Sequence, residues 1–356
     1  MSAVLNRRSF ISAGALGVAG ASMSMDAAEP KRRTDSRGGV LKVCVFADIH
    51  YQPGVYTNDT PEFLEKILAR AERERCDMVI HLGDFVHNVL KAPEKAYVKM
   101  YNEFRIPTYH VLGNHDQDDA PYSATLDAYH LERGYYSFDK GGFRFIILDP
   151  NYIRNEDGTF VHFDHGNYHR RSKNSTINYV TPEQLEWLRS TVMDSPNPCV
   201  VLSHQSLERP PNGGNVLNKD DVQAIFNEAN AKRPGTVRLV MNGHLHSDNL
   251  RIMDDIVWWD VNSANNDWNP KKHSKFPPEY HKAHDRACHN VAWKEPLSGI
   301  LTLSRDGGIR IDGSKSDWLF GVTPKMAGFP EFDSNGRYKR PVIQSAEFKM
   351  TYRRHS

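Results

Sequence analysis

The chain has 356 residues, of which 39% are hydrophobic and 25% charged. That is the composition of a soluble globular protein, long enough to bury an ample core as one large domain or two modest ones. The formal net charge of +1 excludes a strong overall attraction to nucleic acid or to a membrane surface, so no stable nucleic-acid complex is expected. The 17 histidines direct attention to metal binding, because imidazole is the commonest protein metal ligand.

The first stretch, "LNRRSFISAGALGVAGASMSM", places Arg7 and Arg8 before Phe10 and a weakly apolar Gly/Ala-rich run. It resembles a bacterial twin-arginine signal peptide, with Ala19-Gly20-Ala21 as one A-x-A cleavage site. The run is shorter and more diluted than the roughly 20 apolar residues of a spanning helix, so no membrane span is expected after signal removal. Asp26 to Gly39 is polar and reads as a linker. These features imply an exported, periplasmic protein. Of its four cysteines, Cys44 and Cys199 sit in apolar strand-like runs, which suits buried thiols. No required disulfide is expected among Cys44, Cys76, Cys199 and Cys288.

"VLKVCVFA" (Val40 to Ala47) reads as a buried strand. Thr60 and Pro61 are set to open a helix as N-cap and first-turn residue, running to about Arg75 with Phe63, Leu64, Ile67, Leu68 and Ala71 on one face. "DMVIHL" is a second strand, Pro93 to Phe104 a helix and "PTYHVL" a third strand. "YYSFDKGGFRFIILD" (Tyr135 to Asp149) is a β-hairpin turning at Lys140-Gly141-Gly142. A long polar insertion follows, Pro150 to Tyr179. Thr181-Pro182-Glu183 starts another helix, "PCVVLS" is a strand, Asp220 to Asn230 a helix and "TVRLVMNG" a strand. Short strands follow at Arg251–Met253, Val257–Val261, Ile300–Ser304 and Ile309–Ile311. Helices alternating with strands early, and strands paired with each other later, indicate an α/β fold with two sheets.

Five polar clusters follow strand ends: "ADIH" (Asp48, His50), "GDFVH" (Asp84, His87), "GNHD" (Asn114, His115, Asp116), "SHQS" (His204) and "GHLH" (His244, His246). Each alone is ordinary turn chemistry. Together they are not, since turns require neither His nor Asp so consistently, and ligands in open α/β sheets gather at the carboxyl ends of strands.

This ordered set resembles the calcineurin-like metallophosphoesterase family, also called the purple acid phosphatase-like superfamily, from Asp48 to His246. The resemblance implies a four-layer α/β/β/α sandwich with two mixed β-sheets and the metal site at the strand C-terminal ends. It implies two divalent or mixed-valence metal ions, with manganese, iron and zinc all compatible. Asp48, His50 and His246 would hold the first ion, Asn114, His204 and His244 the second, and Asp84 would bridge them. Alternation along "GHLH" would place His244 and His246 on one side of an extended chain. His115 would be the general acid for the leaving oxygen in a metal-assisted, in-line hydrolysis. Asp116 would orient His115, and Gly113 would let the backbone turn tightly. His87 stands where the purple branch has Tyr, so the protein should not be purple; it would support a metal ligand, touch substrate or be structural.

The insertion carries His162, His165, His169, Arg170, Arg171 and Lys173 and is a candidate lid whose cations could meet phosphate oxygens; a solvated loop is the alternative. The His281, His284, Cys288 and His289 spacing fits no common zinc pattern. The five tryptophans from Trp258 to Trp318 are mostly expected in packing roles. The expected organisation is a signal and linker (1–39), a metallophosphoesterase domain (40–313) and a C-terminal extension (314–356) packed on it or partly disordered. The expected activity is hydrolysis of a small phosphoester, a phosphodiester above all, because the Tyr135–Asp149 hairpin and "TPEQLEWLRS" look similar to the branch of cyclic-nucleotide and glycerophosphodiester phosphodiesterases. The alternatives are a periplasmic phosphomonoesterase and a catalytically silent metal-binding protein. Oligomeric state is not legible.

Overall fold

A computed structural model of the chain describes residues 39–53, 61–208, 214–268, 278, 290–328, 330–332, 336 and 338–352. The expected export signal, Thr60, and the tail residues His281, His284, Cys288 and His289 lie outside the described residues.

The chain opens with β1 (Val40–Phe46), α1 (Glu62–Arg73), β2 (Met78–His81), α2 (Ala92–Asn102) and β3 (Thr108–His110), the three strands running parallel. In α1, Phe63, Leu64, Ile67, Leu68 and Ala71 are buried at helical spacing, and Pro61 itself occupies the N-cap position. A 3-10 turn at His115–Gln117 and α3 (Tyr122–Tyr129) lead to the hairpin of β4 (Tyr136–Lys140) and β5 (Phe143–Ile147). Its two-residue turn has Gly141 at φ +59° and Gly142 at φ +81°, the mirror-image geometry that matches strand twist and favours glycine.

The insertion is not a loop. It forms β6 (Tyr152–Arg154), β7 (Phe160–His162) and β8 (Thr176–Ile177), a three-stranded sheet with its own small core of Ile153, Phe163 and Tyr168, packed by Ile177. Four apolar residues scattered among polar ones give no periodicity to read, yet they suffice to order a short meander against a larger body.

Beyond it come α4 (Pro182–Met193), β9 (Cys199–Leu202), α5 (Lys219–Lys232), β10 (Val237–Asn242), β11 (Asn249–Met253) and β12 (Ile256–Asp260). The Thr181 hydroxyl accepts the Gln184 N–H, capping α4. Then follow β13 (Asn266–Trp268), β14 (Asn290–Ala292), β15 (Gly299–Ser304), β16 (Gly308–Asp312), β17 (Ser314–Lys315), β18 (Val342–Ile343) and β19 (Ala346–Lys349).

Two six-stranded mixed sheets result, ordered β19-β16-β15-β1-β2-β3 and β11-β12-β10-β9-β5-β4. Side-chain alternation assigns each strand to two cores. Val43, Val45, Met78, Ile80, Val200, Leu202, Leu239, Met241, Val257 and Trp259 pack between the sheets. Cys44, Phe46 and Val79 pack under α1 and α2, whereas Cys199, Val201, Val240 and Trp258 pack under α4 and α5. The result is the four-layer α/β/β/α sandwich. Each fully buried Val, Leu or Phe contributes about 1.5–3 kcal/mol relative to exposure, which makes the paired sheets a stiff base for what lies at their ends. The segment after Asp312 supplies β19, an edge strand of the first sheet. Cys44, Cys76 and Cys199 are free and buried. Among the described residues no helix is long and apolar enough to cross a membrane.

Candidate metal centre

Parallel strands from both sheets end on the same side, so their following residues converge. Asp48, His50 and His246 offer ligand atoms within 4.8 Å of one another, and so do Asp84, His204 and His244. The two groups touch. Asp84 Oδ2 lies 3.0 Å from His204 Nε2 and 3.7 Å from His50 Nε2, and Asp48 Oδ1 lies 3.3 Å from His246 Nε2 and 3.9 Å from His204 Nε2. Asp84 thus sits between the groups, as a bridging carboxylate must.

The local backbone is strained where the site forms. Asp48, His50, Asp84, His244 and His246 all have positive φ, between 46° and 66°. Non-glycine residues held there cost about 1–3 kcal/mol each, an expense the surrounding packing supports. "GHLH" is therefore not extended: left-handed turns at both histidines, not strand alternation, send His244 to one group and His246 to the other. Gly113 is likewise needed for space and not for conformational freedom. A Cβ there would overlap Asp84 Oδ1, and one on Gly243 would lie 2.6 Å from Asp48 Oδ2.

Tautomers follow from the outer hydrogen bonds. His204 Nδ1 donates to the Leu82 carbonyl at 2.7 Å, and His246 Nδ1 donates to the Asn266 carbonyl at 2.7 Å. His50 Nδ1 lies 3.1 Å from His87 Nε2. In His50 and His246 Nε2 is thereby left facing the cluster as a lone pair, the arrangement that metal-binding imidazoles use. His50 and His246 bring their Nε2 atoms within 3.2 Å of each other. Burial pushes His50 well below its ordinary range despite Asp84, keeping the ring neutral. Burial also pulls His204 down, but Asp84 outweighs it and pushes this ring up to about 9.

The test of whether cations fit rests on Asn114. Its Oδ1 is buried without a hydrogen-bond partner, and an orphaned buried acceptor is costly. A cation within reach of it would satisfy it. Asp, His and Asn together suit a borderline metal without excess negative charge, so the residues present fit two ions.

The role expected of Asp116 is corrected too. Asp116 does not orient His115. Its carboxylate accepts from the backbone N–H groups of Asp84, Phe85, Val86 and Gly113 and from the Tyr129 hydroxyl, so it braces the loops that carry the ligands. The carboxylate on His115 is Asp118, whose Oδ2 is 2.5 Å from His115 Nδ1 and 3.1 Å from His87 Nδ1. His115–Gln117 is a 3-10 turn, and a turn of helix puts the residue at i+3, not the adjacent one, beside His115. The spacing in "HDQD" was the available signal. Burial pulls the His115 ring down, but Asp118 and Asp84 outweigh burial and push it up to about 9. His87, His115 and Asp118 form a third convergence, whose members are already hydrogen bonded to one another.

His87 is buried between His50 and Asp118. Of the insertion's residues, His169 reaches Asp118 at 3.5 Å. His165 is exposed, Arg170 donates to the His165 carbonyl and Arg171 to the Tyr168 carbonyl. His162 is tied to Asp149 and stacks on Tyr122. His81 and His110 are core histidines, bonded to each other at 2.6 Å. Trp258, Trp259 and Trp293 are buried and Trp318 packs on Trp293.

Residues 41–248 match the calcineurin-like phosphoesterase family. Among solved structures, a dimetal phosphatase from Danio rerio is similar at TM-score 0.53 and 14% identity, over 77% of this chain and 95% of that one. GAP50 of Plasmodium, the anchor in the inner membrane complex, aligns over 88% of this chain and 89% of that one at 13% identity and TM-score 0.47. A purple acid phosphatase from yellow lupin aligns at TM-score 0.43 and 14% identity, over 86% of this chain and 54% of that one. No curated protein matches the chain.

Proposed function

Because this chain belongs to the calcineurin-like phosphoesterase family and has its His/Asp ligand clusters intact, we propose that it is a dinuclear phosphodiesterase for small-molecule or nucleotide substrates. In this reading Asp48, His50 and His246 hold one ion, Asn114, His204 and His244 the other, and Asp84 lies between them. When bound, the two ions supply a nucleophile at neutral pH and neutralise charge on the phosphoryl oxygens. Manganese, iron and zinc each suit the donor set.

The observation that carries the reading is the His115–Asp118 pair at 2.5 Å. Asp118 orients the ring and keeps it protonated, so its other nitrogen can deliver a proton to the departing alkoxide. Such an acid matters most for poor leaving groups, such as the sugar or glycerol oxygens of biological phosphoesters. His115 is also fixed by its backbone, which donates to Asp84 Oδ1 at 2.8 Å, so acid and bridging carboxylate move as one unit.

The choice of diester rests on charge and on branch resemblance. A diester carries one fewer negative charge than a monoester dianion, and Arg170 and Arg171 are anchored on backbone carbonyls of the insertion itself. The Tyr135–Asp149 hairpin and the Thr181–Ser190 segment support the phosphodiesterase branch. Export to a bacterial periplasm by the twin-arginine route is supported by Arg7, Arg8 and Phe10; changing both arginines to lysine should leave the protein in the cytoplasm on cell fractionation.

The direct test compares bis-(p-nitrophenyl) phosphate with p-nitrophenyl phosphate using metal-loaded protein. Faster diester turnover is the expected result. A strong monoester preference would replace the diesterase reading with phosphate scavenging, and turnover of neither with both ions bound would favour a silent binding protein.

A further inference from the structure

The insertion is pinned onto the loop that carries Asn114 and His115. The His165 N–H donates to the Ala120 carbonyl at 3.2 Å, Gly166 N–H to the Gln117 carbonyl at 2.8 Å, and Tyr122 N–H to Asp164 Oδ1 at 2.9 Å. Gly166 lies so close that a Cβ would stand 2.9 Å from the Asp118 carbonyl. Through this seam the insertion delivers one buried side chain, Tyr168, stacked on Phe163 at 4.4 Å.

The Tyr168 hydroxyl has two partners. It donates to Asp118 Oδ1, and Asn114 Nδ2 donates to it at 3.4 Å. A phenol has one proton. Once that proton is committed to Asp118, Tyr168 Oη presents only lone pairs to Asn114, so the Asn114 side chain must turn its NH₂ toward Tyr168. The amide oxygen is thereby forced to the other side, where it is buried without a partner. The same hydroxyl holds the carboxylate that holds His115.

We propose that Tyr168 is a positioning residue for the dinuclear centre: its hydroxyl fixes the amide orientation of Asn114 for the second cation and the carboxylate of Asp118 for the acid His115. The inference rests on the reading of Asn114 as a cation ligand. It assigns the insertion a part in assembling the centre, distinct from any contact with substrate.

The test is Tyr168→Phe in the full chain, loaded with zinc or manganese and titrated with a chelator while bound metal is counted by plasma mass spectrometry. The ring stays stacked on Phe163, so the fold should survive, as a melting curve of the metal-free protein checks. The expected result is loss of one of the two ions at about 10–100-fold lower chelator strength, with a steeper dependence of rate on leaving-group pKa. Asn114→Asp gives an independent check, because a carboxylate has two equivalent oxygens and needs no orientation. Adding Tyr168→Phe to it should cost no further metal. Equal metal loss in both backgrounds, or a lowered melting point with wild-type metal retention, would overturn the proposal. A wild-type protein that holds fewer than two ions, or an Asn114→Ala variant that loses none, would sink the ligand assignment and the inference with it. If both ligand tests pass and Tyr168→Phe retains both ions as wild type does, only the role of Tyr168 falls.

Discussion

The strand-end loops and the insertion meet at one site but are built on different logic. The loops after β1, β2, β3, β9 and β10 carry Asp48, Asp84, Asn114, His204 and His244, residues fixed by donor chemistry on two packed sheets, with Asp48, Asp84 and His244 held in left-handed backbone. The insertion carries a three-residue core and contributes one hydroxyl and one histidine. Metal ligation tolerates few residue types, whereas a supporting contact tolerates many. The first region is therefore rigid and chemically specified, and the second is specified only by where it folds.

That contrast orders the expected effects of substitution. The largest should come from Asp84→Ala, which removes the oxygen shared by both groups; both ions should leave, activity should vanish, and metal analysis together with recovery tests after chelator treatment checks it. Activity that survives chelation would break the comparison at its root. Next, His115→Ala should keep both ions but lower the rate by about 10²–10⁴-fold, most for poor leaving groups. An equal loss for good and poor leaving groups would remove the acid role.

Asp118 and Asp116 sharpen the comparison within a single turn. Asp118→Asn should lower turnover by about 10–100-fold, because an amide cannot accept from His115, His87 and Tyr168 together; steady-state kinetics with a melting curve would show activity falling more than stability. Asp116→Asn should do the reverse, since it leaves a buried backbone donor short of its partner at about 1–3 kcal/mol, read as a lower denaturation midpoint. The smallest effect belongs to Lys173→Ala, an exposed insertion side chain expected to change stability by no more than about 0.5 kcal/mol. A clear KM change there would give the insertion's rim a substrate contact.

The ligand candidates were legible because each broke a local rule: turns after strands do not call for His-x-His or Asn-His-Asp, so repeated exceptions pointed to chemistry. The helices and hairpin were legible from period and turn residues, as in Phe63 to Ala71 and Gly141-Gly142. Asp118 was within reach, three residues beyond His115, but choosing it over the adjacent Asp116 required knowing that the chain there forms a tight turn. Tyr168 left no signal, because a tyrosine in a polar stretch is common and its value comes from a neighbour 54 residues away.

What the sequence determined by itself is the kind of site and an α/β fold with two sheets, since donor types and hydrophobic periods are properties of residues and short segments. What only the tertiary structure decided is which carboxylate lies on His115, how the two histidines of "GHLH" part company, and that a polar insertion packs on the segment following Asn114. The first rests on a 3-10 turn, the second on left-handed backbone at both histidines and the third on hydrogen bonds between separate segments, none of which is encoded in the order of neighbouring residues.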